Sequence, residues 1–234
     1  MPAMDASPDP TRVRAMFGRI VERYDMMNRL MTLGRDRAWR RTTVEAVAPR
    51  TDGRALDLGC GTGDLALELT RAGAGTTIGV DPVSGMLEAA RRKLYPEDAR
   101  VAWVEGDALA LPFADGSFDC VVSAFVMRNV ADLPRALAEQ HRVLQPGGRI
   151  GILELTPLTF PVVGQLFRLY FHGIIPLLGR LVAGDGAAYS YLPASVDRFP
   201  AADRLAAMLD RAGFKVVRYR RFMLGTVALH VAQR

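Results

Sequence analysis

Apolar and polar positions follow two different periods along this chain of 234 residues. Near its start, apolar residues recur at helical spacing, which predicts two or three helices over residues 12–50. Short apolar runs then predict strands at 54–58, 76–81, 101–105, 118–123 and 149–155, with helical patterns between them at about 64–72, 84–94 and 133–144. Strands and helices that alternate with short connections indicate a parallel, doubly wound sheet.

The end of the chain follows another pattern. A helical stripe from Leu205 to Ala212 stops at Gly213, a residue type that commonly ends helices. Phe214–Phe222 and Thr226–Ala232 then predict two strands joined by a short loop, as in an antiparallel hairpin. Residues 156–200 interrupt the alternation of strands and helices, so we expect a helical insertion there. The prediction is one α/β domain over residues 12–234, preceded by a disordered segment over 1–11.

The stretch Phe160–Ala183 is apolar enough to raise the question of a membrane span. Arg168, His172, Pro176 and Arg180 interrupt it, and no run of about 18 apolar residues, the length that a span requires, survives. We therefore expect this segment to lie on a membrane surface, or to close over an apolar ligand, rather than to cross a bilayer.

Composition and charge narrow the functional classes. The net charge of +5 is spread along the chain without a basic cluster, which argues against a nucleic-acid partner but allows attraction to anionic membrane surfaces. Lys93 and Lys215 are the only lysines among 30 basic residues, an excess of arginine that we attribute to codon bias. Cys60 and Cys120 have no secretory context and the N-terminus does not resemble a signal peptide, so we expect reduced thiols in a cytoplasmic protein.

The most informative motif is the turn Asp57–Gly63, where glycine stands at every second position after an acidic residue. Glycines without Cβ atoms let a ligand lie against the backbone, and the helix that follows offers free N–H groups. The spacing differs from the dinucleotide pattern G-x-G-x-x-G, and Asp57 would repel a pyrophosphate. A carboxylate suits a cationic ligand instead. The turn therefore predicts a site for S-adenosylmethionine, with its sulfonium and ammonium groups, formed by Asp57, Gly59 and Gly61.

Further polar residues follow the predicted strands, where parallel sheets bind their ligands. Asp81 ends the second strand and is placed to bond the ribose hydroxyls, with a helix N-cap as the alternative. Asp107 follows the third strand and could reach the adenine amino group, unless it only forms a turn. Thr62 either contacts the methionine part of the cofactor or caps the helix. Arg128 and Asn129, just past the fourth strand, lie near the transferable methyl group or form an exposed arginine and a helix cap.

No metal site is predicted, because His141, His172 and His230 are not spaced with Cys, Asp or Glu as metal ligands usually are. A parallel sheet that ends in an antiparallel pair, combined with this glycine turn, is typical of class I methyltransferases.

Four blocks of sequence carry a more specific resemblance. They are Met16-Phe17 with Tyr24-Asp25 and Trp39-Arg40; the glycine turn Asp57–Asp64; Gly106-Asp107-Ala108 through Met127-Arg128-Asn129-Val130 to Leu153-Glu154; and Ala188-Tyr189 with Tyr191-Leu192-Pro193 through His230. The glycine turn marks only the methyltransferase class, whereas the Tyr-Asp, Arg-Asn-Val and Tyr-Leu-Pro blocks are more specific. Through them the chain, from about residue 12 onward, resembles the ubiquinone/menaquinone biosynthesis C-methyltransferase family.

The resemblance implies an enzyme that uses S-adenosylmethionine to methylate a ring carbon of a polyprenyl naphthoquinol or benzoquinol, with demethylmenaquinol as the first expected substrate and 2-polyprenyl-6-methoxy-1,4-benzoquinol as the second. It makes Thr62, Asp81, Asp107 and Ala108 cofactor contacts. It also makes Ser123 a candidate contact, since many members have a serine one position later, and it implies a homodimer. The expected location is the cytoplasm, at the inner face of the membrane.

For the reaction we expect the ring carbon to attack the sulfonium methyl group in line. Arg128 would stabilise the phenolate that makes this carbon nucleophilic, and Asn129 would orient the hydroxyl or a water molecule. Tyr24 and Asp25, on the N-terminal helices, are candidate proton acceptors or relays. Another small-molecule C- or O-methyltransferase is the alternative function.

The quinone pocket is predicted to involve the insertion. Its apolar part, Phe160–Val182, together with Tyr189 and Tyr191, would shelter the ring and its isoprenoid tail, and an ordinary core of packed helices is the alternative.

Overall fold

The computed structural model describes residues 8–95, 98, 100–157, 173 and 186–234, with the backbone alone for residues 186–189. Within these residues seven strands form one sheet, in the order β3-β2-β1-β4-β5-β7-β6. The strands are β1 (Arg54–Leu58), β2 (Thr76–Asp81), β3 (Val101–Glu105), β4 (Phe118–Ala124), β5 (Leu144–Leu155), β6 (Lys215–Phe222) and β7 (Val227–Gln233). Strand β7 is antiparallel to both neighbours, and the pairs from β3 to β5 are parallel. The predicted sheet with its antiparallel C-terminal hairpin is confirmed.

The described helices are α1 (Pro10–Met31), α2 (Asp36–Val47), α3 (Asp64–Arg71), α4 (Ser84–Arg92), α5 (Leu133–Val143), α6 (Gly186–Arg198) and α7 (Ala202–Arg211). Helix α1 begins at Pro10, before the predicted boundary at residue 12. The reason is local: the Asp9 carboxylate accepts hydrogen bonds from the backbone amides of Thr11 and Arg12, and proline fits the first turn of a helix. Residues 1–7 lie outside the described residues. So does the predicted lid Phe160–Val182, apart from Gly173.

The sheet carries an apolar layer on each face, because successive side chains of a strand point to opposite sides. Leu56 and Val121 pack with α5 and α7 on one face, and Ala55 and Val122 pack with α2 and α3 on the other. Strand β4 is buried along its whole length, as expected of a strand with helices on both sides. Helix α1 packs separately, through a cluster that includes Met16, Ile20, Met27 and Val196 of α6.

Strand β5 is longer than predicted. It starts at Leu144, directly after α5, rather than at residue 149. The Pro146-Gly147-Gly148 segment lies within an irregularity of the pairing: Phe118 of β4 pairs with Leu144, whereas Cys120 pairs with Arg149. The extra residues bulge within one continuous strand.

The order of the strands fixes the position of the site. Strand β1 is the third in the sheet, with β2 and β3 on one side of it and β4, β5, β7 and β6 on the other. The connections therefore leave the sheet in opposite directions at the carboxyl ends of β1 and β4. A crevice at such a point is the usual ligand site in an open parallel sheet.

Candidate active site

A pocket opens at the carboxyl ends of β1, β2 and β3, and helix α1 forms its opposite wall. The ends of the strands and the loops after them contribute Leu58, Gly59, Gly61, Val80, Asp81, Gly106, Asp107, Ala108, Phe125, Val126 and Asn129. Helix α1 contributes Pro10, Val13, Arg14, Phe17 and Tyr24. The structure thus places seven predicted residues around one pocket: Tyr24, Gly59, Gly61, Asp81, Asp107, Ala108 and Asn129.

A positive φ favours glycine at both Gly59 and Gly61, and close packing adds to it at Gly59. Gly59 has a φ of +63°, and a Cβ atom there would lie 2.5 Å from both methyl groups of Val126. Gly61 has a φ of +54°, and a Cβ atom there would lie 3.7 Å from the ring of Tyr24. The turn is therefore held between the loop after β4 and helix α1. Both of those neighbours are also walls of the pocket.

Asp57 lies under this turn and is almost completely buried, at 1 % exposure. Burial raises the pKa of its carboxyl to about 8, although the nearby Arg40 acts in the opposite direction. Among the described residues its Oδ2 atom has no hydrogen-bond partner. A buried carboxylate oxygen without a hydrogen bond is stabilised by a cation placed close to it. Asp57 does not line the pocket itself, so its contact with the ammonium or sulfonium group of the cofactor stays a prediction.

Asp81 lines the pocket but also holds the backbone. Its two oxygens accept hydrogen bonds from the backbone amides of Gly61 and Val83, each at 2.9 Å. Burial raises its pKa to about 6, and these two hydrogen bonds oppose the shift. The capping alternative is not borne out, because the N-cap of α4 is Val83 and no side chain caps this helix. Each carboxylate oxygen can accept further hydrogen bonds, so a role towards ribose hydroxyls remains compatible with this geometry.

Asp107, predicted to contact adenine, already has a partner across the pocket. Its Oδ2 atom lies 2.7 Å from the guanidinium of Arg14 on α1, and its Oδ1 atom accepts a hydrogen bond from the backbone of Leu109. Arg14 was not among the predicted site residues. The two residues are 93 positions apart, and no local pattern in the sequence signals the pair.

The structure places Asp25 and Thr62 differently from the prediction. The Thr62 hydroxyl donates to Asp25 at 2.6 Å, and the ammonium of Lys93 lies 2.6 Å from the same carboxylate. Neither residue is part of the pocket wall. The expectation that Asp25 takes a proton from the substrate, and that Thr62 touches the methionine part, is thus replaced by a contact between α1 and the glycine turn.

Arg128 is likewise not exposed to the pocket. Its side chain is 7 % exposed, and its Nη1 atom lies 2.7 Å from Glu154, whose side chain is 1 % exposed. The same carboxylate accepts hydrogen bonds from the backbone amides of Arg128 and Leu155. Burial raises the pKa of Glu154, and Arg128 is the main opposing influence. A direct contact between Arg128 and a phenolate is therefore not part of this geometry, and the charge acts from behind the pocket wall.

Asn129 connects the pocket wall to helix α6. Its side-chain nitrogen donates to the carbonyl of Phe125, and its side-chain oxygen lies 3.2 Å from the Tyr191 hydroxyl, which donates to it. Phe125 has a φ of +62°, a conformation that costs about 1–3 kcal/mol for a residue other than glycine. The guanidinium of Arg128 also donates to the Phe125 carbonyl at 2.5 Å. Arg128 and Asn129 together hold this strained turn.

Tyr24 faces the pocket from α1 with a neutral hydroxyl. Burial raises the pKa of its phenol, while a hydrogen bond with Asn28 and the charges of Arg40 and Arg128 act against the shift. A phenol with a raised pKa stays protonated at neutral pH, so the phenolate that could accept a proton is scarce and the hydroxyl remains a hydrogen-bond donor. The predicted role as a proton acceptor is therefore less suited to this environment than that of a donor.

Ser123 does not reach the pocket. It lies within β4, fully buried, and its hydroxyl has no hydrogen-bond partner among the described residues. Side chains alternate along the strand, so Ser123 points to the face of Val121, towards α5, while Ala124 points to the face of Val122. The prediction that Ser123 contacts the cofactor is not supported by its position.

Solved structures with the same architecture are methyltransferases in several cases. A possible histamine N-methyltransferase from Thermotoga maritima aligns with a TM-score of 0.68 and 21% identity, over 94% of this chain and 99% of its own. A phosphoethanolamine N-methyltransferase from Haemonchus contortus, in complex with S-adenosyl-L-methionine, aligns with a TM-score of 0.63 and 16% identity, over 84% of this chain and 52% of its own. The fold and the glycine-turn pocket together define a class I S-adenosylmethionine-dependent methyltransferase.

Sequence similarity identifies one family within this class of methyltransferases. The model of the ubiE/COQ5 methyltransferase family matches residues 5–234, and the chain belongs to that family. A demethylmenaquinone methyltransferase from Thermus thermophilus is 47% identical, over 94% of this chain and all of its own. A protein of the same name from Deinococcus radiodurans is 43% identical over 100% of this chain and 97% of its own. The ubiquinone/menaquinone biosynthesis C-methyltransferase of Dinoroseobacter shibae is 42% identical, over 93% of this chain and 88% of its own.

Proposed function

We propose that this protein transfers a methyl group from S-adenosylmethionine to a ring carbon of a polyprenyl quinol, with demethylmenaquinol as its main substrate. The observation that carries the proposal is the pocket at the carboxyl ends of β1 to β3, between the glycine turn and Tyr24. Family membership and the names of the relatives from Thermus thermophilus and Deinococcus radiodurans support the quinone ring as the acceptor.

Three features of the pocket and the turn beneath it support the cofactor. Asp81 lines the wall where ribose hydroxyls would lie, Gly59 and Gly61 line it with backbone alone, and Asp57 places a buried carboxylate, with its Oδ2 atom unpaired among the described residues, beneath the turn. Asp107 and Ala108 line the part of the pocket assigned to adenine. When bound, the cofactor supplies an electrophilic methyl group on a sulfonium.

The chain activates the acceptor by orienting it. Ionising a phenol with a pKa near 10 costs about 4 kcal/mol at neutral pH, so a site that stabilises the phenolate lowers the barrier. Tyr24 and Asn129 face the pocket and can hold the quinol oxygen. Burial raises the pKa of Tyr24 and of Tyr191, and the Arg128 charge, which opposes both shifts, acts on the same region from behind the wall. Holding both reactants in line can supply about 7–11 kcal/mol more.

A lipophilic acceptor requires access from a membrane, and the outer side of α1 offers an apolar surface for it. Met26 and Leu30 on α1, and Leu33 in the turn directly after it, are exposed at 48%, 43% and 76%. Among the helices that the structure describes, none is both long and apolar enough to cross a bilayer. We propose a peripheral contact through this surface, which lies on the same helix as the pocket-lining residue Tyr24.

The test is a competition between acceptors. The purified protein receives a labelled methyl donor and equal amounts of demethylmenaquinol and 2-polyprenyl-6-methoxy-1,4-benzoquinol, both kept reduced, with the oxidised quinones as controls. We expect label in the naphthoquinol product and none with the oxidised forms, which are too electron-poor to attack a sulfonium. Transfer to other phenols but to neither quinol would favour another small-molecule methyltransferase.

A further inference from the structure

Lys93 is unusual because this chain has arginine at nearly all of its basic positions. It is one of two lysines among 30 basic residues, and it caps the C-terminus of α4. Its ammonium lies 2.6 Å from Asp25 Oδ2, 2.7 Å from Asp64 Oδ1 and 2.9 Å from the Thr62 hydroxyl. These three oxygens belong to α1, to the first residue of α3 and to the glycine turn.

Three acceptors around one nitrogen match an ammonium and not a guanidinium. An ammonium has three donors on a compact, roughly tetrahedral centre, whereas the donors of arginine lie in one plane and fan outward. The chemistry of this position therefore demands lysine in a chain that uses arginine nearly everywhere else. We call the arrangement of Lys93, Asp25, Thr62 and Asp64 the lysine tripod.

The side chains of the lysine tripod are mostly shielded from water, which strengthens the ion pairs between them. The side chains of Lys93, Asp25 and Asp64 are 27%, 25% and 27% exposed. Although burial pushes the pKa of Asp64 upward, Lys93 is the main influence that brings it below its ordinary value. A neighbouring pair between the same two helices, Arg92 with Glu22, is 62% and 83% exposed, and such pairs contribute little.

The tripod lies directly behind two parts of the pocket wall. Asp25 follows Tyr24 on α1, and Thr62 follows Gly61 in the turn, and both Tyr24 and Gly61 line the pocket. The Tyr24 ring packs against Gly61, so the spacing between the two walls depends on how Asp25 and Thr62 are joined. We propose that Lys93 is a positioning residue: it sets the distance between α1 and the glycine turn and thereby shapes the cofactor pocket. This inference rests on the proposed function for the identity of the cofactor.

The experiment compares Lys93→Met with Arg92→Met in the full-length protein. Affinity for S-adenosylhomocysteine is measured by calorimetry at low and high salt, after circular dichroism has shown that each variant is folded. We expect Lys93→Met to bind about tenfold more weakly, because a misplaced wall costs interaction along the whole ligand. Arg92→Met should stay within about twofold of the parent protein, since it removes only an exposed pair. Equal affinity of Lys93→Met and the parent would overturn the inference.

Two further variants separate positioning from mere folding. Asp25→Asn should weaken binding as Lys93→Met does, and the double variant should be no weaker than either, because both residues act as one unit. Lys93→Arg keeps the charge and tests the geometry; it should bind more weakly than the parent. Additive losses, or full affinity in Lys93→Arg, would contradict the tripod. If the parent protein binds no S-adenosylhomocysteine, the proposed function fails before these variants are compared.

Discussion

Replacing Asp57 by asparagine tests the electrostatics of the pocket. Asparagine has nearly the same shape and carries no charge, so the change isolates the buried carboxylate. The pKa of this group is raised from 3.8 to about 8 by burial. Between these two values the folded protein binds more protons than the unfolded chain does. The free energy of unfolding therefore falls as the pH rises from about 4 to about 8.

The size of the effect follows from the shift. At pH 7 the unfolded chain has released the proton and the folded protein has kept it, which costs the fold up to about 4 kcal/mol. Asp57→Asn removes this cost, so the variant should be more stable than the parent at pH 7 by an amount approaching that figure. The difference should vanish near pH 4. Asp52→Asn, at an exposed ion pair with Arg50, is the control and should change stability little at either pH.

Asp57→Asn should weaken the binding of the cofactor, although it stabilises the fold. A cationic ligand favours the ionised carboxylate, so the parent protein should release close to one proton when it binds S-adenosylmethionine at pH 7, and its affinity should rise with pH up to about 8. Calorimetry in buffers of different ionisation enthalpy measures this release, and chemical denaturation measures the stability. Asp57→Asn should release no proton and bind more weakly. A variant that is no more stable than the parent at pH 7, or that binds as tightly, would refute the reasoning.

Three other changes give distinct results. Gly59→Ala places a Cβ atom 2.5 Å from Val126 and should abolish cofactor binding in calorimetry. The control is Gly147→Ala, at a φ of +79° with open space around it, which should leave binding intact. Equal effects of the two variants would contradict the steric argument. Arg128→Met leaves the buried Glu154 without its ion-pair partner and should lower the free energy of unfolding by about 3–5 kcal/mol in denaturant unfolding. The double variant Arg128→Met/Glu154→Met should recover part of this stability. Additive losses would argue against a coupled pair. Tyr24→Phe should keep S-adenosylhomocysteine affinity and lower kcat by about 100-fold, and unchanged turnover would remove Tyr24 from the reaction.

The sheet could be predicted because its signals are local. The glycine turn, the acidic residues after β2 and β3 and the stripe before Gly213 each report on their own segment. They suffice to predict a doubly wound fold, whereas the order of its strands comes from the structure. The boundaries of α1 and β5 were less predictable. The first depends on a cap by Asp9, and the second on a register shift beside Cys120.

The site was predictable only where one segment carries the information. Gly59, Asp81 and Asp107 follow from position after a strand. The partners of the charged residues did not follow, because Arg14 with Asp107, Lys93 with Asp25 and Arg128 with Glu154 join distant segments. A sequence shows that a residue is charged, but only the fold shows whether its side chain faces a ligand or another charge. For this reason Asp25 and Arg128, which were predicted to contact the substrate, are found in ion pairs behind the pocket wall.

The most direct measurement of the central claim is the position of the transferred methyl group. Demethylmenaquinol is incubated with the protein and a ¹³C-methyl donor, and the product is examined by NMR. The proposed function predicts a single labelled methyl group bonded to a ring carbon. Label on a quinol oxygen, or no transfer to the reduced naphthoquinone although the cofactor binds, would contradict it.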